Sequence, residues 1–67
     1  MIQLSDYGRN IEKRRKFLKL TQKLLADFAG ISLRSLKSIE NGSGNPTLKQ
    51  ITKVIDILGM QLTIEVK

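Results

Sequence analysis

At 67 residues the chain makes one domain, and with neither cysteine nor histidine it has no disulfide and no zinc site of the usual ligand types to reinforce so small a core. Oligomerisation is the reinforcement that remains. The formal net charge of +6 is one-sided: Arg9, Lys13, Arg14, Arg15, Lys16, Lys19, Lys23, Arg34 and Lys37 face only Asp6, Glu12 and Asp27 in the first 37 residues, whereas charges in the remainder cancel. Such asymmetry points to a polyanion or an anionic membrane as partner, the alternative being a lysine-rich helix face that merely aids solubility.

No apolar run approaches the ~20 residues that span a bilayer, and Met1–Leu4 is followed at once by polar residues, so the expectation is a soluble, cytoplasmic protein with no membrane partner. From Ser5 or Asp6, a plausible N-cap, to Leu18 the spacing of Tyr7, Ile11 and Leu18 predicts a helix. Arg15 falls on that apolar stripe and needs a partner. Arg9, Lys13 and Lys16 form a basic ridge elsewhere on the helix.

Thr21 is a good N-cap for a second helix with Leu25, Ala26 and Ala29 inward, and Gly30 suits its left-handed end. Ala26 is small, as a close helix crossing requires. Ser32 caps a third helix two residues later, with Leu36 and Ile39 inward and Arg34 and Lys37 outward. Two short helices joined by so brief a turn have helix-turn-helix geometry.

Residues 41–46, Asn-Gly-Ser-Gly-Asn-Pro, break the pattern, and Thr47 with Gln50 forms a capping box for a fourth helix. Leu48, Ile51, Ile55 and Leu58 make its core stripe. Val54 and Ile57 widen the apolar face beyond what a monomer needs, and Gly59 ends the helix. From Met60 the period becomes two: Met60, Leu62, Ile64 and Val66 alternate with Gln61, Thr63, Glu65 and Lys67. A strand with no partner in its own chain predicts antiparallel pairing with a second copy, using Val54, Ile57, Leu62, Ile64 and Val66 as the dimer interface. The alternative is a frayed tail.

The run TQKLLADFAGISLRSLKSIENGSGNPTL, with Arg15 upstream, resembles the Cro/CI-type helix-turn-helix domains of the Xre family of bacterial and phage repressors. The shared pattern is Thr-Gln, Leu-Ala, Gly, Ser, an apolar pair, Glu-Asn-Gly, then Pro-Thr-Leu, spread over residues 4–59. The resemblance implies an all-α, compact domain of four to five helices over residues 1–59, with residues 60–67 as a dimerisation strand. It implies a nucleoid-associated repressor that reads double-stranded DNA as a homodimer on an inverted repeat, without a cofactor.

Roles follow from the resemblance. Ser32, Leu33, Arg34, Ser35 and Ser38 correspond to base-reading positions in the major groove. Arg34 suits a two-point contact with guanine, and Leu33 a thymine methyl; surface filler is the alternative for Leu33 and Ser35. Gln22, Lys23, Lys37, Asn41, Ser43 and Arg14 correspond to phosphate-binding positions, with bare backbone N–H groups of the glycine loop approaching a phosphate. Arg15 and Glu40 match a structural ion pair tying the first helix to the end of the third.

Two residues depart from the family pattern. Lys19 stands where glycine is common, which implies a strained turn with the lysine directed to DNA or solvent. Leu24 stands at a usually polar place, by chance or as a protein contact. The ending LGMQLTIEVK is similar to the HipB-type antitoxins, which implies a HipA-type kinase toxin as a further partner. A regulator without a toxin partner, or a module serving mainly protein interaction, is the alternative. No histidine, cysteine or carboxylate pair stands beside a recognisable nucleophile, so the sequence gives no enzyme and no metal site.

Overall fold

Four helices account for the regular structure in the computed structural model, which describes residues 4–62: α1 (Leu4–Phe17), α2 (Gln22–Ala29), α3 (Leu33–Asn41) and α4 (Leu48–Ile57). Each later start is fixed by a hydroxyl. Thr21, Ser32 and Thr47 have extended backbones, and their side chains accept the N–H of Leu24, Ser35 and Gln50 respectively. Gln50 returns the contact to the Thr47 N–H, completing the capping box.

The core is one cluster: Ile11 from α1, Leu25, Ala26 and Ala29 from α2, Leu36 and Ile39 from α3, and Val54, Ile55 and Leu58 from α4 and its end. Leu20, Ile31 and Ile51 pack around it half-buried. α1 lies chiefly on α3, while α2 contacts both α3 and α4. The α1–α3 crossing is close because α1 presents Gly8 there. A Cβ on Gly8 would overlap the carbonyl oxygen of Ile39 and stand 2.6 Å from that of Glu40.

Several sequence expectations need correction. Val54 is fully buried in the core of its own domain, so it has no surface to give a second copy; α4 turns Val54, Ile55 and Leu58 inward together. Leu18 lies beyond the end of α1 and is partly exposed, its expected core place being taken by Leu20 after the chain turns at Lys19. Leu48, in the first turn of α4, is 62% exposed because the core begins one turn later at Ile51.

After α4 the chain turns at Gly59, and the Met60 N–H donates to the Ile55 carbonyl at 2.9 Å. Met60–Leu62 are neither helix nor strand, and Met60 and Leu62 pack half-buried against the core. No strand occurs among the described residues. The expected strand runs largely over residues 63–67, and those, with Ile64 and Val66, lie outside the described residues. No helix among the described residues is long and apolar enough to cross a membrane.

Candidate nucleic-acid interface

α3 buries Leu36, Ile39 and Glu40 and exposes Leu33, Arg34, Lys37 and Asn41. Apolar residues at i and i+3 fix one face inward, so the two cations and the amide share the outer surface. Neither Arg34 nor Lys37 has an ion-pair partner among the described residues. Ser38 is half-buried. Ser32 and Ser35 are joined to each other: Ser32 Oγ accepts the Ser35 N–H at 3.0 Å and donates to Ser35 Oγ at 2.9 Å.

What holds this surface in place is a buried polar knot. Arg15 Nε donates to Glu40 Oε2 at 2.8 Å and Arg15 Nη2 to Glu40 Oε1 at 3.1 Å. The third guanidinium nitrogen, Nη1, donates to the Leu20 carbonyl at 2.9 Å. Gln22 Nε2 donates to Glu40 Oε1 at 3.1 Å. One carboxylate on the last turn of α3 is therefore bonded to the end of α1 and the start of α2. No buried side-chain polar atom is left without a partner among the described residues, so each buried charge is met by hydrogen bonds.

The structure uses some of the expected phosphate groups internally. Arg14 Nε donates to the Leu58 carbonyl at 3.0 Å, and its guanidinium lies 5.3 Å from the centre of the Phe17 ring. Arg14 Nε thus caps the end of α4, where unpaired helix carbonyls attract a cation, and the guanidinium's other N–H groups take no part in that bond. The Gly42 N–H donates to Ile39 O at 3.1 Å and the Ser43 N–H to Ser38 O at 2.9 Å. Those two backbone groups close α3 through left-handed Gly42, at φ 70°, and are not bare as expected. The exposed side chains of Asn41 and Ser43 remain at that corner.

Gln22 keeps one amide N–H beyond the one given to Glu40. Lys23 sits 3.6 Å from Asp27 in an exposed i,i+4 pair, weak enough to exchange for another anion. A residue of the expected phosphate loop, and one that sequence reasoning did not place at the surface of interest, also face it. Asn45 and Gln50 line a shallow polar depression with Arg34, Ser35 and Ser38, where the α3–α4 loop folds beside α3. Gln50 Oε1 is taken by the Thr47 N–H, which leaves its amide as a donor. Its capping signal was legible in the sequence; its proximity to Arg34 was not.

A family model described as helix-turn-helix, HTH_3, matches residues 11–64. The chain belongs to this helix-turn-helix family, of the Cro/CI type. In the helix-turn-helix unit, α2 and α3 are the two helices and Gly30–Ser32 the turn between them. The chain is also 38% identical over 52 residues to the cryptic phage CTXphi transcriptional repressor RstR of Vibrio cholerae serotype O1. That match takes in 78% of this chain and 46% of the relative, so the helix-turn-helix chain spans less than half the length of the repressor it matches.

Proposed function

We propose that this chain is a transcriptional repressor that binds double-stranded DNA as a homodimer, reading an inverted repeat with α3. The observation that carries the proposal is the exposed Arg34 and Lys37, without ion-pair partners among the described residues, on a helix whose far end is bolted down by the Arg15–Glu40–Gln22 knot. A rigid cationic helix is what insertion into the major groove requires. Arg34 donates twice to guanine O6 and N7, while Leu33 and Ser38 meet neighbouring base edges. Lys37, Lys23, Gln22, Asn41 and Ser43 hold the flanking phosphates.

Dimerisation uses the exposed Ile57 together with the chain from Leu62 onward, including Ile64 and Val66. In a two-fold dimer the recognition helices lie about 34–36 Å apart, one turn of the duplex. Membership of a helix-turn-helix family and likeness to a phage repressor support regulation rather than catalysis. They also favour a stand-alone regulator over an antitoxin. The antitoxin setting rests on the C-terminal likeness and has its own test, namely whether a neighbouring reading frame encodes a kinase-like protein that co-purifies with this chain.

Selection of binding sites from random duplexes at two salt concentrations tests the main reading, with the full chain and a chain ending at Gly59. The full chain is expected to enrich a palindrome, and the shorter one a single half-site. Recovery of no sequence by either protein overturns the proposal.

A further inference from the structure

The backbone is left-handed at Lys19, φ 59°, and at Gly30, Gly42, Gly44 and Gly59. Among the described residues, then, every position of this conformation but one is glycine. A lysine there sets its Cβ against the neighbouring carbonyl, a contact that glycine escapes. No contact among the described residues repays it. The Lys19 side chain is exposed and makes no ion pair or hydrogen bond among the described residues, whereas nearby Lys16 has Glu12 and Lys23 has Asp27.

The turn that carries Lys19 is held firmly. The Lys19 N–H donates to Lys16 O at 3.0 Å and the Leu20 N–H to Arg15 O at 3.1 Å. The Leu20 carbonyl in turn accepts from Arg15 Nη1, and Arg15 grips Glu40 at the end of α3. Three residues after Lys19, Gln22 is bonded to the same Glu40. The backbone that carries this exposed ammonium is therefore anchored at a fixed place relative to α3, at a residue whose conformation is worse for being lysine.

We propose that Lys19 is a phosphate-binding residue, taking one DNA backbone phosphate per protomer beside the Gln22 corner. The assignment rests on DNA being the ligand, as argued above. Strain kept at an exposed cation is explained when the charge acts on a ligand, and an ammonium on a flexible stem is a point-charge binder of phosphate.

The test compares four full-length proteins on a short duplex of mixed sequence: the parent, Lys19→Gly, Lys19→Asn and Lys53→Ala. Lys53 is an exposed cation on α4 that has no part in the proposed interface. Glycine and asparagine both tolerate the left-handed backbone, so neither variant is expected to melt below the parent. Both are expected to lower the dependence of log affinity on log salt by about 0.9 per protomer, or about 1.8 for the dimer. Their affinity deficit then shrinks about tenfold as salt rises from about 50 to about 200 mM.

The proposal is overturned if both variants keep the parent's salt dependence, or if Lys53→Ala lowers it equally, since charge count and not position would then govern binding. A Lys19→Gly protein that melts well below the parent overturns the strain argument on which the assignment is built. A parent that binds no duplex removes the proposed function and Lys19's role with it, whereas a parent that binds with a steep salt dependence isolates the result to Lys19.

Discussion

Arg15 and Glu40, 25 residues apart in the chain, meet through two hydrogen bonds of 2.8 and 3.1 Å, with side chains only 10% and 1% exposed. Removing either partner strands the other charge in a site from which water is excluded. Arg15→Ala or Glu40→Ala is expected to cost about 3–5 kcal/mol, a large part of the stability of so small a domain. Urea denaturation of each variant measures this. A loss under 1 kcal/mol would mean that water reaches the pair.

Gly8 gives a prediction whose sign opposes helix propensity. In an exposed helix, alanine in place of glycine gains about 1 kcal/mol. At the α1–α3 crossing the added methyl meets two backbone carbonyls, which cannot swing aside as a side chain can. Gly8→Ala is therefore expected to destabilise by about 1–3 kcal/mol. Thermal melting decides between the two effects.

Arg34 and Lys37 stand on the same surface but should fail differently. Arg34→Ala is expected to keep the fold and lose about 1–3 kcal/mol of discrimination at one base pair in each half-site. Lys37→Ala is expected to weaken all duplexes alike and to reduce the salt slope by about 1 per protomer. Binding-site selection followed by salt titration separates them. An Arg34→Ala protein with undiminished preference would remove Arg34 from the reading surface.

Val54 and Ile57 are three positions apart on α4 and differ wholly in surroundings. Ile57→Lys, at a residue 41% exposed, is expected to change monomer stability by no more than about 0.5 kcal/mol while shifting sedimentation toward monomer. Val54→Lys places an unpaired charge in the core and is expected to unfold the domain at any concentration. Equal sedimentation of the Ile57 variant and the parent would place the dimer contact elsewhere.

Much of the fold was legible because its signals are local. Thr21, Ser32 and Thr47 cap helices through bonds that reach three residues, and Gly30 and Gly42 end them through one left-handed residue. Such contacts depend on neighbours in sequence. The candidate surface was partly legible for the same reason: with Leu36 and Ile39 inward, helical geometry alone sends Arg34 and Lys37 outward. The cap that Arg14 makes on α4 was not legible because its acceptor, the Leu58 carbonyl, is 44 residues away. Gly8 gave no signal, since a glycine within a helical pattern does not announce which backbone will cross it.

Composition and periodicity by themselves determined a small, basic, helical domain without cysteine or histidine chemistry, with its net charge gathered in the first half. Tertiary structure alone decided which cations are free to act. It committed Arg15 to Glu40, drew Arg14 Nε to the end of α4, closed the Gly42 and Ser43 amides onto α3, and left Arg34, Lys37 and the strained Lys19 exposed. The physical reason is that a charge's availability depends on what else lies within about 4 Å of it, and those neighbours come from distant parts of the chain.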